Sequence, residues 1–331
     1  MEKRKLGNSD LSVNPIAFGA WAIGGWMWGG NEKNESVKAL EKGIEKGLTT
    51  IDTAPVYGFG LSEEITGEVI KGKRDKLEIL TKCGLRWDTK KGEFFFDTYF
   101  NDGKPARLYK YSGKESIIEE CENSLRRLGT DYIDLLQIHW PDTTTPFSEA
   151  MEAFNILKEQ GKIRAAGVSN YSVEHLKESI KYTELVSDQV PYSMVRRDIE
   201  SELVPYCIQN HISIIAYSPM QRGILTGKIS PGHKFDEGDS RPDTPYYKRE
   251  NIQKINDFLD RIKPIAEQKG VELAQLVLRW TAEQPGITCV LAGARNAEQA
   301  EKNALALEIN ISEEEIDLIN KEINQLDLDL N

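Results

Sequence analysis

The sequence predicts a closed (β/α)8 barrel, in which eight parallel strands are each followed by a helix. Short apolar strand-like runs alternate with amphipathic helical patterns, and this alternation is typical of βα units in a parallel sheet. Eight such units can be counted in the 331 residues, and no linker rich in Gly, Ser or Pro separates two halves. Residues 1–331 are therefore expected to form one domain. The strand-like runs lie at 15–18, 48–52, 77–82, 132–139, 165–169, 187–190, 212–217 and 288–292.

A doubly wound sheet that binds nucleotides is the alternative architecture. Its GxGxxG motif between a strand and a helix is missing, because Gly58-Phe59-Gly60 follows a strand without the third glycine. The run 223–228 is one residue too short for a phosphate-binding P-loop and is followed by Ile229 instead of Ser or Thr. Both near-matches are attributed to chance, and the closed barrel is preferred.

Three segments outside the repeating pattern are expected to cover the two ends of the barrel. Residues 3–14 contain the run Gly7-Asn8-Ser9-Asp10 and predict a β-hairpin that closes the bottom. Segments 84–111 and 221–250 predict long loops at the C-terminal face, because both exceed an ordinary connection. Segment 84–111, which is rich in aromatic residues, is expected to wall a pocket, with a surface hairpin packed on itself as the alternative. Segment 221–250 is expected to be a lid over a cofactor, with a disordered excursion as the alternative.

End signals define several of the outer helices. Ser112 and Glu115 predict a capping box, and Gly129 predicts the end of the same helix. Pro146 is predicted at the first position of the next helix, which ends at Gly161. The last helical pattern covers 312–326.

Composition excludes several classes of function. Lys and Arg total 42 against 53 Asp and Glu, a net charge of -11, which disfavours nucleic acid or an anionic membrane as a partner. The four cysteines show no CxxC spacing, so neither a metal site nor a redox pair is expected. The first residues lack an apolar signal region and no apolar run approaches a membrane span. A cytoplasmic protein that acts on a small molecule is expected, and its oligomeric state is left open.

Four polar residues lie at or just beyond the predicted ends of three successive strands. Asp52 ends the second strand, Tyr57 follows in its loop, Lys82 ends the third strand and His139 ends the fourth. The C-terminal ends of barrel strands carry the active site, so these side chains are expected to converge. Singly, Asp52 is equally well a loop cap and His139 equally well a core histidine, and Tyr57 alone is better explained as a packing residue. Their joint placement favours a catalytic site.

These residue types suit the reduction of a carbonyl. A carbonyl that accepts hydride develops negative charge on oxygen and needs a proton donor, which a tyrosine provides if its pKa of roughly 10 is lowered. An adjacent lysine is expected to lower the pKa of Tyr57, while Asp52 holds Lys82 charged and oriented. His139 is expected to orient the carbonyl oxygen or to assist proton transfer.

Several longer motifs resemble those of the aldo-keto reductase superfamily, over almost the whole chain. They are the run Ile-Asp-Thr-Ala-Pro-Val-Tyr-Gly at 51–58, Lys82, the run Asp-Tyr-Ile-Asp-Leu-Leu-Gln-Ile-His-Trp at 131–140, and Gly-Lys-Ile-Arg at 161–164 leading to Gly-Val-Ser-Asn at 167–170. Tyr-Ser-Pro at 217–219 and the run Gly-Ala-Arg-Asn-Ala-Glu-Gln at 293–299 are similar to the bacterial branch near the potassium-channel β subunits.

The resemblance implies an NADPH-dependent enzyme that reduces aldehydes or ketones to alcohols. It implies Tyr57 as general acid, tuned by Lys82 and Asp52, with His139 orienting the substrate. The residues expected to surround the substrate are Trp21, Trp26, Tyr57, Trp87, His139 and Trp140. Many members carry a longer C-terminal loop over this pocket, and its absence here suggests an open pocket with loose selectivity.

The resemblance also implies where an extended nicotinamide cofactor would lie. The carboxamide would be held by Ser169, Asn170 and Gln189, and Tyr217 would stack on the nicotinamide ring. Residues expected along the pyrophosphate are Ser218, Pro219, Met220, Gln221, Gly223 and Leu225. Residues expected at the adenosine end are Gly293, Arg295, Gln299 and Asn303. Gly19, Ala20, Trp21 and Asp52 complete the expected cofactor contacts.

The expected cofactor is NADP(H) in preference to NAD(H). Lys228, Arg241 and Arg295 are expected to neutralise a 2′-phosphate, although single surface cations are commonly only solvated. Two other functions remain open from the sequence. One is a redox-sensing regulatory module that holds NADP(H) with little turnover, and the other is a barrel enzyme in which Lys82 forms a Schiff base.

Overall fold

The computed structural model describes residues 2–30, 32–235, 239 and 241–330, and within them eight parallel strands close into a barrel. The strands are β1 (Arg4–Lys5), β2 (Ser12–Val13), β3 (Ile16–Gly19), β4 (Thr50–Asp52), β5 (Glu78–Cys83), β6 (Leu85–Arg86), β7 (Glu93–Tyr99), β8 (Pro105–Lys110), β9 (Ile133–Ile138), β10 (Ile163–Ser169), β11 (Ser187–Pro191), β12 (Ser213–Tyr217) and β13 (Ile287–Gly293). The barrel runs through β3, β4, β5, β9, β10, β11, β12 and β13, which pairs back with β3. The predicted fold class is confirmed.

Each predicted strand run overlaps one barrel strand, and the ends differ by at most two residues. The α-helices are α1 (Lys33–Glu45), α2 (Leu61–Ile70), α3 (Lys114–Leu128), α4 (Phe147–Glu159), α5 (Val173–Ser179), α6 (Leu203–Gln209), α7 (Arg249–Gln268), α8 (Leu273–Ala282), α9 (Ala297–Leu305) and α10 (Glu313–Ile323). Their apolar sides pack on the outside of the strands in one continuous core. None of the helices in the described residues combines the length and the apolar character needed to cross a membrane.

The N-terminal hairpin closes the bottom of the barrel, as predicted. β1 and β2 pair in antiparallel fashion, with Arg4 opposite Val13. Buried Leu6, Leu11 and Val13 pack against inward-facing strand residues such as Leu135 and Ile215, which fills the lower interior with apolar side chains. Gly7 has φ +55, and a Cβ there would lie 2.5 Å from the Val186 carbonyl oxygen, so the turn can approach the barrel only with glycine.

Two predicted helix starts are wrong in detail. Ser112 forms no capping box, because its backbone N–H donates to Asp142 and α3 begins only at Lys114. The Lys114 N–H instead donates a hydrogen bond to the side chain of Glu149, a residue of α4. Pro146 lies one position before the first residue of α4 rather than at it.

The predicted helix ends agree with the structure better than the predicted helix starts do. Gly129 follows α3 with φ 62 and Gly161 lies just beyond α4 with φ 69, which is the left-handed backbone that ends helices at glycine. α10 is shorter than the predicted 312–326, and a capping box of Ser312 and Glu315 fixes its start.

The two long loops differ in structure. Segment 84–111 contains β6, β7 and β8, which form a three-stranded antiparallel sheet in the order β6-β8-β7. Segment 221–250 contains short 3-10 turns at Gln221–Thr226 and Pro245–Tyr247, and α7 begins at Arg249. The predicted lid includes 236–238 and 240, which lie outside the described residues.

Candidate active site

The four residues predicted to form a catalytic site lie together at the C-terminal end of the barrel. Asp52 is the last residue of β4, Lys82 lies one residue before the end of β5, and His139 directly follows β9. Tyr57 reaches the group from the loop after β4 and is 9% exposed. Lys82 is fully buried and Asp52 is 1% exposed, so their charges meet inside the protein rather than in solvent.

The Lys82 ammonium group has three oxygen partners. It donates to Asp52 Oδ1 at 2.6 Å, to the Thr53 carbonyl oxygen at 3.0 Å and to Tyr57 Oη at 3.1 Å. An ammonium has three N–H donors, so these contacts use all of them. The cation is therefore fixed beside the phenol oxygen.

Asp52 is held by two glutamine side chains as well as by Lys82. Gln189 Nε2 donates to Asp52 Oδ2 at 2.8 Å, and Gln137 Nε2 lies 3.3 Å from the same oxygen. Gln137 was not predicted from the sequence. Its signal is a polar amide within the buried run of β9, which is otherwise apolar apart from Asp134 at its base. These bonds offset part of the cost of burying the carboxylate.

Burial has the largest effect on the pKa of Tyr57 and raises it. Lys82 lowers the pKa and Asp52 raises it, and the net direction is upward. The predicted lowering of the Tyr57 pKa is therefore wrong for this structure, although Lys82 acts in the predicted direction. Burial also opposes the charge on Lys82, but Asp52 and Tyr57 outweigh it and the pKa of Lys82 is raised.

His139 is a neutral imidazole facing the phenol. Burial first, and then the nearby Lys82 charge, hold its pKa well below the ordinary value. Its ring meets the Tyr57 ring edge-on, with centroids 5.7 Å apart. The His139 backbone carbonyl accepts from Asn170 Nδ2 at 3.1 Å, which ties the histidine to the next strand end.

The residues predicted to hold a nicotinamide form one hydrogen-bonded row beside Asp52. Ser169 Oγ donates to the Gln189 carbonyl at 2.7 Å, and Asn170 Nδ2 donates to Ser169 Oγ at 3.0 Å. Tyr217 Oη donates to Asn170 Oδ1 at 2.9 Å. Asn170 has φ 62, a left-handed backbone that asparagine adopts more readily than most residues. Gln189 also touches Asp52, so it belongs to both groups.

The loop after β12 holds the residues predicted along the pyrophosphate. Ser218, Gln221 and Arg222 have φ of 57, 44 and 57, and Gly223 has φ 106. Pro219 and Met220 lie between them, and Leu225 is fully buried in the core. The shape of this loop therefore depends on an unusual run of left-handed residues.

The residues predicted at the adenosine end surround the start of α9. Gly293 ends β13, and its carbonyl accepts from Asn303 Nδ2 at 2.9 Å. The Arg295 N–H donates to Gln299 Oε1 at 2.9 Å, and Asn296 caps the helix by accepting from the Gln299 N–H. A helix N-terminus with aligned N–H groups favours anions.

The three predicted phosphate-binding cations make different contacts. Arg295 donates to the Gly30 carbonyl at 2.7 Å, and Lys228 lies 3.5 Å from a Glu272 oxygen. Arg241 forms several bonds to the Asp239 carboxylate. Of these, Arg295 alone lies at the start of α9.

Tyr57 belongs to an apolar cluster that includes or is packed against by all four predicted tryptophans. Trp21 stacks on Tyr57 with centroids 6.0 Å apart, and it continues from Gly19 and Ala20 at the end of β3. The Ala20 N–H donates to the Asp52 carbonyl at 2.8 Å. Trp28, which was not predicted, meets Trp21 edge-on at 5.6 Å.

The three-stranded sheet of β6, β7 and β8 supplies further aromatic side chains, and together with the tryptophans these form an aromatic wall beside Tyr57. Phe96 stacks on Trp26 at 6.4 Å, and Phe95 packs against Trp140 at 5.1 Å. Trp87 meets Phe59 at 5.4 Å. The sheet is thus packed on residues next to Tyr57 and not only on itself. No cluster of three or more metal-binding side chains occurs in the described part of the chain.

Comparison with known proteins agrees with this geometry. The sequence profile of the aldo/keto reductase family matches residues 15–324. The chain belongs to the aldo/keto reductase family. It is 36% identical over 325 residues to the NADH-specific methylglyoxal reductase of Escherichia coli (strain K12), covering 96% of this chain and 97% of that protein.

Two solved structures of this family superpose well on the present one. The glycerol dehydrogenase of Gluconobacter oxydans has a TM-score of 0.87 at 33% identity, covering 98% of this chain and 95% of that one. An aldo/keto reductase from Klebsiella pneumoniae in complex with NADP and acetate has a TM-score of 0.72 at 29% identity, covering 99% and 100%.

The buried ion pair generates a test of the site. Lys82→Met leaves the Asp52 carboxylate buried without its cation, so we expect a loss of about 3–5 kcal/mol in the free energy of unfolding, measured by urea denaturation. The double variant Asp52→Asn/Lys82→Met removes both charges and should recover part of that loss. Equal stability of Lys82→Met and the native chain would contradict the buried pair.

Proposed function

We propose that this aldo/keto reductase is an NADP(H)-dependent enzyme that reduces aldehydes or ketones to alcohols, with Tyr57 as the proton donor. The observation that carries the proposal is the Lys82 ammonium fixed 3.1 Å from Tyr57 Oη and 2.6 Å from Asp52. A buried phenol next to a locked cation suits proton donation to an oxygen that gains negative charge.

Each residue of the site has one role in this proposal. A bound nicotinamide supplies the hydride to the carbonyl carbon. Tyr57 Oη donates its proton to the carbonyl oxygen, and the Lys82 ammonium stabilises the phenolate that remains. Neutral His139 donates an N–H to the same oxygen and orients it. Asp52 keeps Lys82 charged and in place.

The raised pKa of Tyr57 agrees with the reducing direction. A phenol with a pKa above its ordinary value stays protonated throughout the neutral range, so the acid is present before each turnover. The Lys82 charge limits how far burial raises the pKa. An aliphatic alcohol has a higher pKa than a phenol, so proton transfer from Tyr57 Oη to the developing alkoxide is favourable and the pKa of Tyr57 needs no further lowering.

The same charges argue against a Schiff-base lysine. A lysine attacks a carbonyl only as the neutral amine, and such lysines have lowered pKa values. The pKa of Lys82 is raised, because Asp52 and Tyr57 outweigh burial. Lys82 is thus held as an ammonium with all three donors in use.

The donor set along the strand ends fits a nicotinamide dinucleotide. Ser169, Asn170 and Gln189 offer amide and hydroxyl groups that match a carboxamide, and Tyr217 offers a ring next to them. We place the cofactor phosphates along the loop at Gln221–Thr226 and at the start of α9, where a helix N-terminus favours anions. We propose NADP(H) in preference to NAD(H), with Arg295 at the 2′-phosphate.

Replacing Tyr57 tests the proton donor. Tyr57→Phe keeps the ring that stacks on Trp21 and removes the acidic proton, so we expect carbonyl reduction to fall by about 10²- to 10⁴-fold. NADPH binding, followed by fluorescence titration, should be retained. Tyr192→Phe is the matched control, because its buried hydroxyl donates to Glu200 and not to the site. Retained turnover in Tyr57→Phe would contradict the assignment of Tyr57 as the proton donor.

The pH dependence of turnover provides a second test. The reducing direction needs the protonated phenol, which is present below the raised pKa of Tyr57 and lost above it. We expect kcat/KM for the carbonyl to be flat from about pH 6 to 9, and to fall only in the alkaline range. Alcohol oxidation needs the phenolate and should rise with pH. A reduction rate that falls with an apparent pKa near 7 would assign the proton to His139 instead.

The cofactor preference is tested at Arg295. Arg295→Ala should reduce kcat/KM for NADPH by roughly 10- to 100-fold, since charge-assisted hydrogen bonds to phosphate contribute about 1.5–3 kcal/mol. NADH has no 2′-phosphate, so its kcat/KM serves as the internal control and should change little. A native chain whose kcat/KM for NADH equals or exceeds that for NADPH would overturn the preference. The relative from Escherichia coli is NADH-specific, so this outcome has a precedent.

A further inference from the structure

The loop at Gln221–Thr226 has a backbone that needs outside support. Gln221 and Arg222 have φ of 44 and 57 and are followed by Gly223 at φ 106. A non-glycine residue in this region costs roughly 1–2 kcal/mol and persists only where neighbouring groups hold it. The two left-handed residues lie in the segment proposed to face the cofactor pyrophosphate.

Tyr247 supplies that support from the other end of the long loop. Its hydroxyl lies 2.9 Å from the Arg222 carbonyl oxygen and 3.1 Å from the Gln221 carbonyl oxygen, and it donates to this pair. The side chain is 6% exposed and its ring meets Phe235 edge-on at 5.5 Å. Burial raises the pKa of Tyr247 to about 12, so the donor keeps its proton.

A buried asparagine ties the Tyr247 turn to the end of the described chain. Asn251, in α7, is fully buried, and its Nδ2 donates to the Pro245 carbonyl at 2.8 Å and to the Asp329 carbonyl at 2.7 Å. Asn251 Oδ1 accepts from the Asp329 N–H at 3.0 Å. The Asn251 side-chain amide thus makes the two backbone hydrogen bonds to Asp329 that a neighbouring β-strand would make.

Two lysines hold the same segment from outside. Lys248 Nζ lies 2.8 Å from Asp329 Oδ2, and Lys254 Nζ donates to the Asp327 carbonyl at 2.6 Å. The Tyr247 N–H donates to Thr244 within the turn. Asn251 therefore links segment 327–330 to Pro245, the turn backbone from Pro245 leads to Tyr247, and the Tyr247 hydroxyl bonds the Gln221 and Arg222 carbonyls.

We propose that Tyr247 and Asn251 are positioning residues that hold the Gln221–Thr226 loop in the shape that binds the cofactor pyrophosphate, and that segment 327–330 braces them. The proposal rests on the proposed function. Without the brace, the left-handed residues relax and the loop spends less time in its binding shape. The apparent dissociation constant rises as that fraction falls, and the cofactor leaves faster.

Tyr247→Phe is the direct test, because it keeps the ring and removes only the hydroxyl. We expect the dissociation constant and the release rate of NADPH to rise about three- to tenfold, the effect of one lost hydrogen bond. KM for the carbonyl at saturating NADPH should not change. Tyr192→Phe loses a comparable buried hydroxyl bond to Glu200, so it should lose stability without any change in NADPH release. NADPH release from Tyr247→Phe at the native rate would overturn the proposal.

Asp329 tests the brace at an exposed position. Asp329→Pro removes the backbone N–H that donates to Asn251 Oδ1. Asp329→Ala keeps this N–H and removes only the carboxylate. We expect faster NADPH release in Asp329→Pro than in Asp329→Ala. Equal release from these two variants would show that the backbone pairing with Asn251 does not support the loop.

A measurement without cofactor separates this proposal from the proposed function. In the cofactor-free chain, amide hydrogen exchange at 222–226 should be faster in Tyr247→Phe than in Tyr192→Phe. If the native chain bound no NADP(H), the proposed function would fail, and the exchange result would still decide whether Tyr247 holds the loop. Equal exchange in the two variants would overturn the brace.

Discussion

The buried contact between Lys82 and Asp52 is the constraint on which the site depends. Two charges removed from water cost several kcal/mol each, and their attraction repays this only where further hydrogen bonds satisfy both groups. Thr53 and Tyr57 accept the remaining hydrogen bonds of the Lys82 ammonium, and Gln137 and Gln189 donate to the Asp52 carboxylate. These partners come from β9, β11 and the loop after β4, so the pair forms where these strand ends converge.

The same contact joins the proposed catalytic and cofactor positions into one system. Gln189 donates to Asp52, and its carbonyl accepts from Ser169. Asn170 and Tyr217 extend the row to β12. The proposed nicotinamide position and the carboxylate that keeps Lys82 in place thus share one hydrogen-bonded network. At the opposite end of the barrel, Leu6, Leu11 and Val13 fill the interior with apolar groups.

The sequence predicted what local pattern determines and missed what distant partners determine. Strand ends at Asp52, Lys82 and His139 were readable, because short apolar runs stop at polar residues and parallel strands end on one face. The start of α3 was not readable, because the backbone N–H groups of Ser112 and Lys114 donate to Asp142 and Glu149, which lie further along the chain. Gln137 was missed because a single amide within an apolar strand indicates burial without naming its partner. Its partner, Asp52, is 85 residues away.

The direction of the Tyr57 pKa shift could not be read from residue types alone. A neighbouring lysine lowers the pKa of a phenol and burial raises it, so the sign depends on which effect is larger at the actual depth. Tyr57 is packed by Trp21 and faces neutral His139, which leaves Lys82 as the stabilising charge beside a dehydrated oxygen. Dehydration exceeds that attraction, and the phenol is held as an acid. In the proposed reaction the aromatic wall thus contributes to the chemistry as well as to the surroundings of the substrate, because excluding water from Tyr57 Oη raises the pKa of the proposed proton donor.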